Sequence, residues 1–243
     1  MIQFEEVIAL REEKMKRLLA LKKCDYFVGK AACEAAWDPF SLSFFGRLRD
    51  AAEAIPNSFE GLDSDPGVKV QDRRLQPYVR SQLFIALVSE IEDFLKTVVT
   101  RVLIAYPDKV GQETVRIDEL ARLGYDGAIR YAAEKQLNEF FYLTPKKYGE
   151  KICGFLSMSY EVFKTTWIPF VEMKARRDVG VHNGWRKNDI YVRRVTEVEG
   201  PVAESEFLGI SDKYFESAIE VAAQLIDFVV DHCINKFCNV VKE

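Results

Sequence analysis

Long apolar runs are missing from this sequence. The longest, such as Leu83–Val88 and Ala222–Val230, are broken by Ser, Glu or Asp. No stretch approaches the roughly 20 apolar residues that a membrane-spanning helix requires, so no membrane partner is expected. The opening MIQFEEVIALREEKMKR carries two early glutamates and no continuous apolar core, unlike a signal peptide. Cysteine is sparse: Cys24, Cys33, Cys153, Cys233 and Cys238 are odd in number and scattered, matching neither a secreted disulfide framework nor a zinc site. Reduced thiols and a cytoplasmic location are the expectation. Also absent are a Gly-x-x-x-x-Gly-Lys-Ser/Thr phosphate loop, a His-Glu-x-x-His metal helix and a Gly-x-Ser-x-Gly elbow, which removes the commonest nucleotide, metalloprotease and hydrolase signatures. No cofactor and no metal ligand set is expected. Strand signals are scarce as well.

What is present is an ordinary balance of 48% hydrophobic and 30% charged residues over 243 positions, with a net charge of -4. A chain of this length builds a core without staples. Phe4 to Lys23 reads as a charged amphipathic helix, and Leu42 to Ile55 as a second one stopped by Pro56. Residues 57–71, rich in Gly, Asp and Pro, read as a loop and the best boundary, dividing an N-terminal helical extension, 1–74, from a main domain, 75–243. The strongest periodicity lies between Pro77 and Tyr106, where Leu83, Leu87, Ile91, Phe94, Val98 and Val102 recur at steps of three and four. Shorter helices are expected over 118–123, 125–141 and 146–157. A later helix is expected to carry Pro169 in its first turn and to end near Asn183–Gly184. Ile190–Val198 reads as a short strand or extended arm, and a last helix opens at Ser211–Asp212. The pattern predicts an all-α fold, an up-and-down helical bundle with an N-terminal helical extension.

One segment stands apart. Between Lys174 and Arg194 lie seven basic residues, Lys174, Arg176, Arg177, Arg186, Lys187, Arg193 and Arg194, opposed only by Asp178 and Asp189. That local balance of +5 leaves -9 for the rest of the chain. A basic patch on an acidic body suits a polyanion site, although a charge run also makes a solvated face. Trp185 and Tyr191 interleave with the bases and are candidates for stacking on nucleobases. Phe170, Met173, Arg177 and Val181 share helical spacing, so Arg177 falls on an apolar stripe, where it needs an anion. Glu90, Glu92 or Asp93 of the long helix would supply one structurally, although Glu92 also reads as an i,i+4 surface pair with Lys96. Five positions on stands His182, one of two histidines. Imidazole is the side chain that ordinarily moves protons near neutral pH. His232, between Val229 and Cys233, reads as a packed, satisfied histidine.

Arg177-Asp178-Val179-Gly180-Val181-His182, within ARRDVGVHNGWRKNDIYVRR, resembles the Arg-x4-6-His signature of the HEPN superfamily (higher eukaryotes and prokaryotes nucleotide-binding), in its ribonuclease branch. FIALVSEIEDFLKTVVTRVLIAYP is similar to the long early helix of such domains, and the helix from Asp212 takes the place of their closing helix. The resemblance covers roughly residues 75–240. It departs at Asp178, where asparagine often stands in the family. It implies a HEPN-like bundle, a homodimer through the motif-bearing helix, and metal-independent cleavage of RNA by 2′-OH attack, giving a 2′,3′-cyclic phosphate. His182 would act as general acid or base, Arg177 would stabilise the phosphate, and Asp178 would orient one of them. Arg176, Asn183, Trp185, Arg186, Lys187 and Tyr191 would contact substrate. A toxin or antiviral role, with a cognate antitoxin or regulatory protein, follows by the same analogy. Two other readings stand beside it: a non-catalytic helical module that binds RNA, a nucleotide or a protein partner through the same patch, and an adaptor bundle in which Arg177 is salt-bridged.

Overall fold

The computed structural model describes residues 4–34, 75–110, 117–140 and 143–237. Seven helices account for nearly all of them: α1 (Phe4–Glu34), α2 (Leu75–Ala105), α3 (Ile117–Phe140), α4 (Pro145–Leu156), α5 (Tyr160–Asn183), α6 (Asp189–Glu197) and α7 (Asp212–Phe237). A single 3-10 turn, Pro107–Val110, follows α2. The protein is an all-α bundle, and among the described residues the only extended pairing is one isolated bridge between Arg186 and Phe207. No described helix is long and apolar enough to cross a membrane. The helix expected over 42–55, the loop over 57–71 and the boundary at 74/75 lie outside the described residues.

Helix α2 is the central stave. Its apolar positions cover more than a stripe: Phe84, Leu87, Val88, Ile91, Phe94, Leu95, Val99, Val102 and Leu103 are all fully buried. A helix apolar on so much of its circumference must be surrounded, and α1, α3, α4, α5 and α7 all pack on it. Helix α1 lies between α2 and α7, with Val7, Leu10 and Leu18 in the same core. Charge pairs fix its register: Lys14 Nζ donates to Glu90 at 2.9 Å and to Asp93 at 2.7 Å, and Arg11 Nε donates to Asp227 at 2.7 Å. Gly124, at φ +70°, kinks α3 where the sequence punctuates it.

Two elements differ from their sequence reading. Pro169 stands in the interior of α5, not its first turn. The ring removes one backbone donor, but Phe163 and Trp167, both upstream of it, are completely buried, and Trp167 stacks on Phe163 at 5.3 Å. That burial holds the extra turns in place. Residues 189–197 form helix α6 where the β-branched composition suggested extended chain. Asn188 caps it, its Oδ1 accepting from the Tyr191 N–H at 2.9 Å. Tyr191, Val195 and Val198 at i, i+4 and i+7 then bury one face. His232 is a packing residue as expected: its Nε2 lies 2.9 Å from the Leu156 carbonyl oxygen, to which it donates, tying α7 to α4.

Candidate functional site

The C-terminal half of α5 carries the motif, and its two adjacent arginines turn to different surroundings. Arg176 is the deeper, at 9% exposure. Its Nε donates to Glu172 one turn back at 2.9 Å, Nη1 reaches the Leu208 carbonyl at 3.3 Å, and the guanidinium lies 4.0 Å over the Tyr214 ring. Glu172 also accepts from Tyr191 Oη at 2.7 Å and from the Tyr214 hydroxyl. This is a closed polar cluster clamping α5, α6 and α7 together. Two residues expected to touch substrate, Arg176 and Tyr191, are therefore interior: Tyr191 is fully buried and both are occupied by Glu172. The apolar stripe on α5 runs through Arg176 and Val179, while Val181 is 52% exposed; Arg177 is itself part-buried against Glu92 of α2, one of the three anions expected for it.

Burial first, and then the Glu172 carboxylate, push the Tyr191 hydroxyl up to about 12; the same causes in the same order raise Tyr214 well above its ordinary value. Both hydroxyls hold their protons more tightly in the folded chain than in the unfolded one. Their contribution is thus complete below pH ~10 and fades as pH rises toward 12. Tyr191→Phe is expected to lower stability by about 1–2 kcal/mol at neutral pH and to shrink the alkaline loss, measured by urea unfolding at pH 8 and at about pH 11.

Arg177 faces α2. Its Nη2 donates to Glu92 Oε2 at 2.7 Å, and Lys174 takes the other Glu92 oxygen. Glu92 is thus an inward carboxylate shared by two cations, with a side chain only 14% exposed, rather than half of a surface pair with Lys96. Asp178 lies 3.0 Å from Arg177 Nε, close enough for an ion pair but off the line of the N–H, so this buried donor makes no hydrogen bond. The second Asp178 oxygen accepts from Arg194 of α6. Three cations and two carboxylates form one part-buried network, and Asp178 orients Arg177 rather than the histidine.

His182 and Asn183 are exposed at the end of the helix. Asn183 Nδ2 donates to the Arg186 carbonyl at 2.7 Å and shapes the turn. Gly184 and Trp185 both take left-handed backbone, at φ +55° and +65°. That conformation is costly for tryptophan. It is held by the strap 206–208, where the Trp185 carbonyl accepts from Leu208 N–H at 2.7 Å and the Lys187 N–H donates to Glu206 at 2.8 Å. The turn throws the indole back over Gly180, where a Cβ would sit 2.5 Å from the ring, and toward Phe84 at 6.3 Å. Glycine at 180 is therefore a packing requirement of Trp185. Gly180→Ala gains helix propensity but displaces the indole, with a net loss of about 1–2 kcal/mol expected in urea unfolding.

The basic cluster is largely paired off. Lys174, Arg176, Arg177, Lys187 and Arg194 each hold a carboxylate, from Glu92, Glu172, Asp178 or Glu206. Lys187 also donates to the Ala203 and Glu204 carbonyls. Arg186 and Arg193 are exposed. Glu172, Tyr214 and the strap at 206–208 are the contributors the sequence reading missed. Of these only Glu172 carried a local signal, its i,i+4 spacing to Arg176. Among the described residues no three His, Cys, Asp or Glu side chains gather as a metal site.

Fold and site together define a helical bundle whose one late helix carries an arginine-carboxylate network and, five positions after Arg177, an exposed histidine. In comparison with known proteins, no family model, curated protein or solved structure matches this chain.

Proposed function

We propose that the chain is a metal-independent endoribonuclease of HEPN type, acting as a toxin or antiviral effector. The observation that carries this reading is the contrast between the two motif residues. Arg177 is braced by Glu92 and Asp178, while His182, one and a half turns on, is exposed. RNA brings its own nucleophile, so the protein has only to move protons and stabilise charge. His182 takes the 2′-OH proton or returns one to the leaving 5′-oxygen. Arg177, bound by Glu92 through Nη2 and paired with Asp178 at its buried Nε, offers Nη1 to the phosphate and stabilises the pentacoordinate transition state. Two carboxylates holding Arg177 fix its orientation in advance, which lowers the reorganisation the reaction needs.

Five helical steps rotate by roughly 140°, so Arg177 and His182 of one chain leave α5 in different directions. A second copy supplies the missing partner, and a homodimer through α5 places two motifs in one cleft. Exposed Val181, Ile190 and Phe207 provide apolar surface near the motif for such pairing. A second reading is favoured by a specific observation: Glu92 already neutralises Arg177, which suits a non-catalytic module that binds RNA, a nucleotide or a protein partner.

The deciding experiment incubates purified protein with labelled RNA and excess EDTA, beside His182→Ala and Arg177→Ala. Cleavage that persists in the chelator and disappears in both variants is expected. Cleavage lost to EDTA, or surviving both substitutions, overturns the mechanism, and no cleavage under any condition leaves the binding module.

A further inference from the structure

The segment between α6 and α7 returns to the end of the motif helix, where Arg186 and Phe207 form an isolated antiparallel bridge. The flanking bonds, from Lys187 N–H to the Glu206 carbonyl at 2.8 Å and from Leu208 N–H to the Trp185 carbonyl at 2.7 Å, leave the bridged pair without hydrogen bonds of its own. In such a pair the Cα atoms stand about 4.5 Å apart, and the two side chains rise next to each other on one face. The opposite face is accounted for: Leu208 is buried, and Lys187 and Glu206 pair at 3.0 Å. Arg186 and Phe207 therefore share the face that looks into solvent, and both are exposed there, Phe207 at 60%.

Neither residue is loose. Phe207 N–H donates to Ser205 Oγ at 3.1 Å, and the Ser205 hydroxyl donates to the Phe207 carbonyl at 2.8 Å. The ring lies against Gly209, where a Cβ would sit 2.6 Å from it. Backbone thus supports one side of the ring while the rest stands in solvent. Arg186 is tied at both backbone groups to Asn183, the neighbour of His182: its N–H donates to the Asn183 carbonyl at 3.1 Å, and its own carbonyl accepts from Asn183 Nδ2 at 2.7 Å. Carboxylates hold Arg176, Arg177 and Arg194, but among the described residues none pairs with Arg186. A supported aromatic face beside an unengaged guanidinium suits an unpaired nucleotide, with its base on the ring and its phosphate on the cation. A purely apolar partner would cover the ring and leave the guanidinium without an anion.

We propose that Arg186 and Phe207 form a subsite for one unpaired nucleotide of RNA, flanking the phosphodiester at His182. The proposal rests on the nuclease reading for its substrate, and it adds the substrate class. That class is single strands and loops, because in a duplex the bases stack on one another and offer no free face. Phe207 stacks the base and Arg186 takes the phosphate; neither moves a proton. Phe207 then stays open to the cleft, and Val181 and Ile190 carry the contact between copies.

The test is equilibrium binding of the full chain to a fluorescent 2′-O-methyl RNA about 12 nucleotides long, within the site sizes of single-strand grooves, alone and annealed to its complement. Blocking the 2′ position removes the nucleophile, so binding is read without cleavage. The single strand is expected to bind at least about tenfold tighter than the duplex, and Phe207→Ala to weaken it by about tenfold, the usual worth of one stacked base. Phe207→Leu keeps apolar bulk without a π face and is expected to lose about as much, whereas Phe207→Trp stays within about twofold of the parent chain. Arg186→Gln should make the slope of log affinity against log salt shallower by about 0.7, one phosphate contact. Lys22→Gln, exposed on α1, is the control and is expected to change affinity less than about twofold. Full affinity in Phe207→Leu, an unchanged salt slope in Arg186→Gln, equal loss in the control, or a duplex bound as tightly as the single strand overturns the subsite. So does light scattering in which Phe207→Ala turns a dimer into a monomer, which would place the ring between copies. Failure of the nuclease is distinguishable: a chain that never cuts RNA but loses single-strand affinity on these substitutions keeps the subsite and loses the catalysis.

Discussion

His182→Ala is expected to lower the single-turnover rate of RNA cleavage by about 10²–10⁴-fold, the usual worth of a positioned general acid or base. Its thermal midpoint should stay that of the parent chain. The first half rests on the proposed nuclease mechanism and the second on where the residue sits: His182 is exposed at the last turn of α5, and a surface substitution of this kind changes stability by less than about 0.5 kcal/mol. Loss of activity with loss of fold would mean that the imidazole is structural. Mixing sharpens the result. If Arg177 of one copy works with His182 of another, His182→Ala and Arg177→Ala chains, each inactive alone, regain activity on co-refolding, because the mixed dimer contains one complete pair. If both residues must come from one chain, no mixture recovers. Light scattering on the same samples is expected to give twice the 27.9 kDa chain mass.

The legible parts of this molecule were those whose cause is local. The stripe on α2 repeats at helical spacing and leaves no other outcome, and Ser211 announces α7, its Oγ accepting from the Tyr214 N–H at 3.2 Å. Pro169 misled because the penalty of an interior proline is local while its compensation, the burial of Phe163 and Trp167 against other helices, is not. Residues 189–197 misled for a related reason: β-branched composition speaks for a strand only until a cap and an i,i+4 apolar pair find a core to face. The site was half legible. Spacing brought out Arg177 and His182 and put Glu92 among three candidate counter-ions on the long helix; only the packing of α5 on α2, across 85 positions of sequence, selects Glu92 from the three. The +5 segment looked like an open polyanion surface because sequence displays charges without their partners. Folding supplies Glu92, Glu172 and Glu206 from outside the segment or across the strap, and leaves a braced arginine in place of a basic face.

Glu92 and Arg177 should behave unequally when each is removed, and the inequality separates the two functional readings. Glu92→Ala strands two part-buried cations, Lys174 and Arg177, whose side chains are 24% and 19% exposed. Leaving such charges without their carboxylate is expected to cost about 2–4 kcal/mol, the lower end reflecting residual contact with water and the help of Asp178. Arg177→Ala strands nothing, because Lys174 still neutralises Glu92 and Arg194 still holds Asp178; about 1 kcal/mol is expected. For catalysis the order reverses. On the nuclease reading, Arg177→Ala removes the group proposed to meet the phosphate and is expected to lower the cleavage rate by about 10²–10³-fold. Glu92→Gln keeps a hydrogen-bond acceptor for Nη2 and is expected to lower the rate by about tenfold or less, through looser positioning. Urea unfolding and single-turnover rates on the same four chains decide the matter. Should Arg177→Ala cost as much stability as Glu92→Ala while RNA binding and cleavage are untouched, Arg177 is a strut of the α2–α5 contact, and the network serves the fold alone.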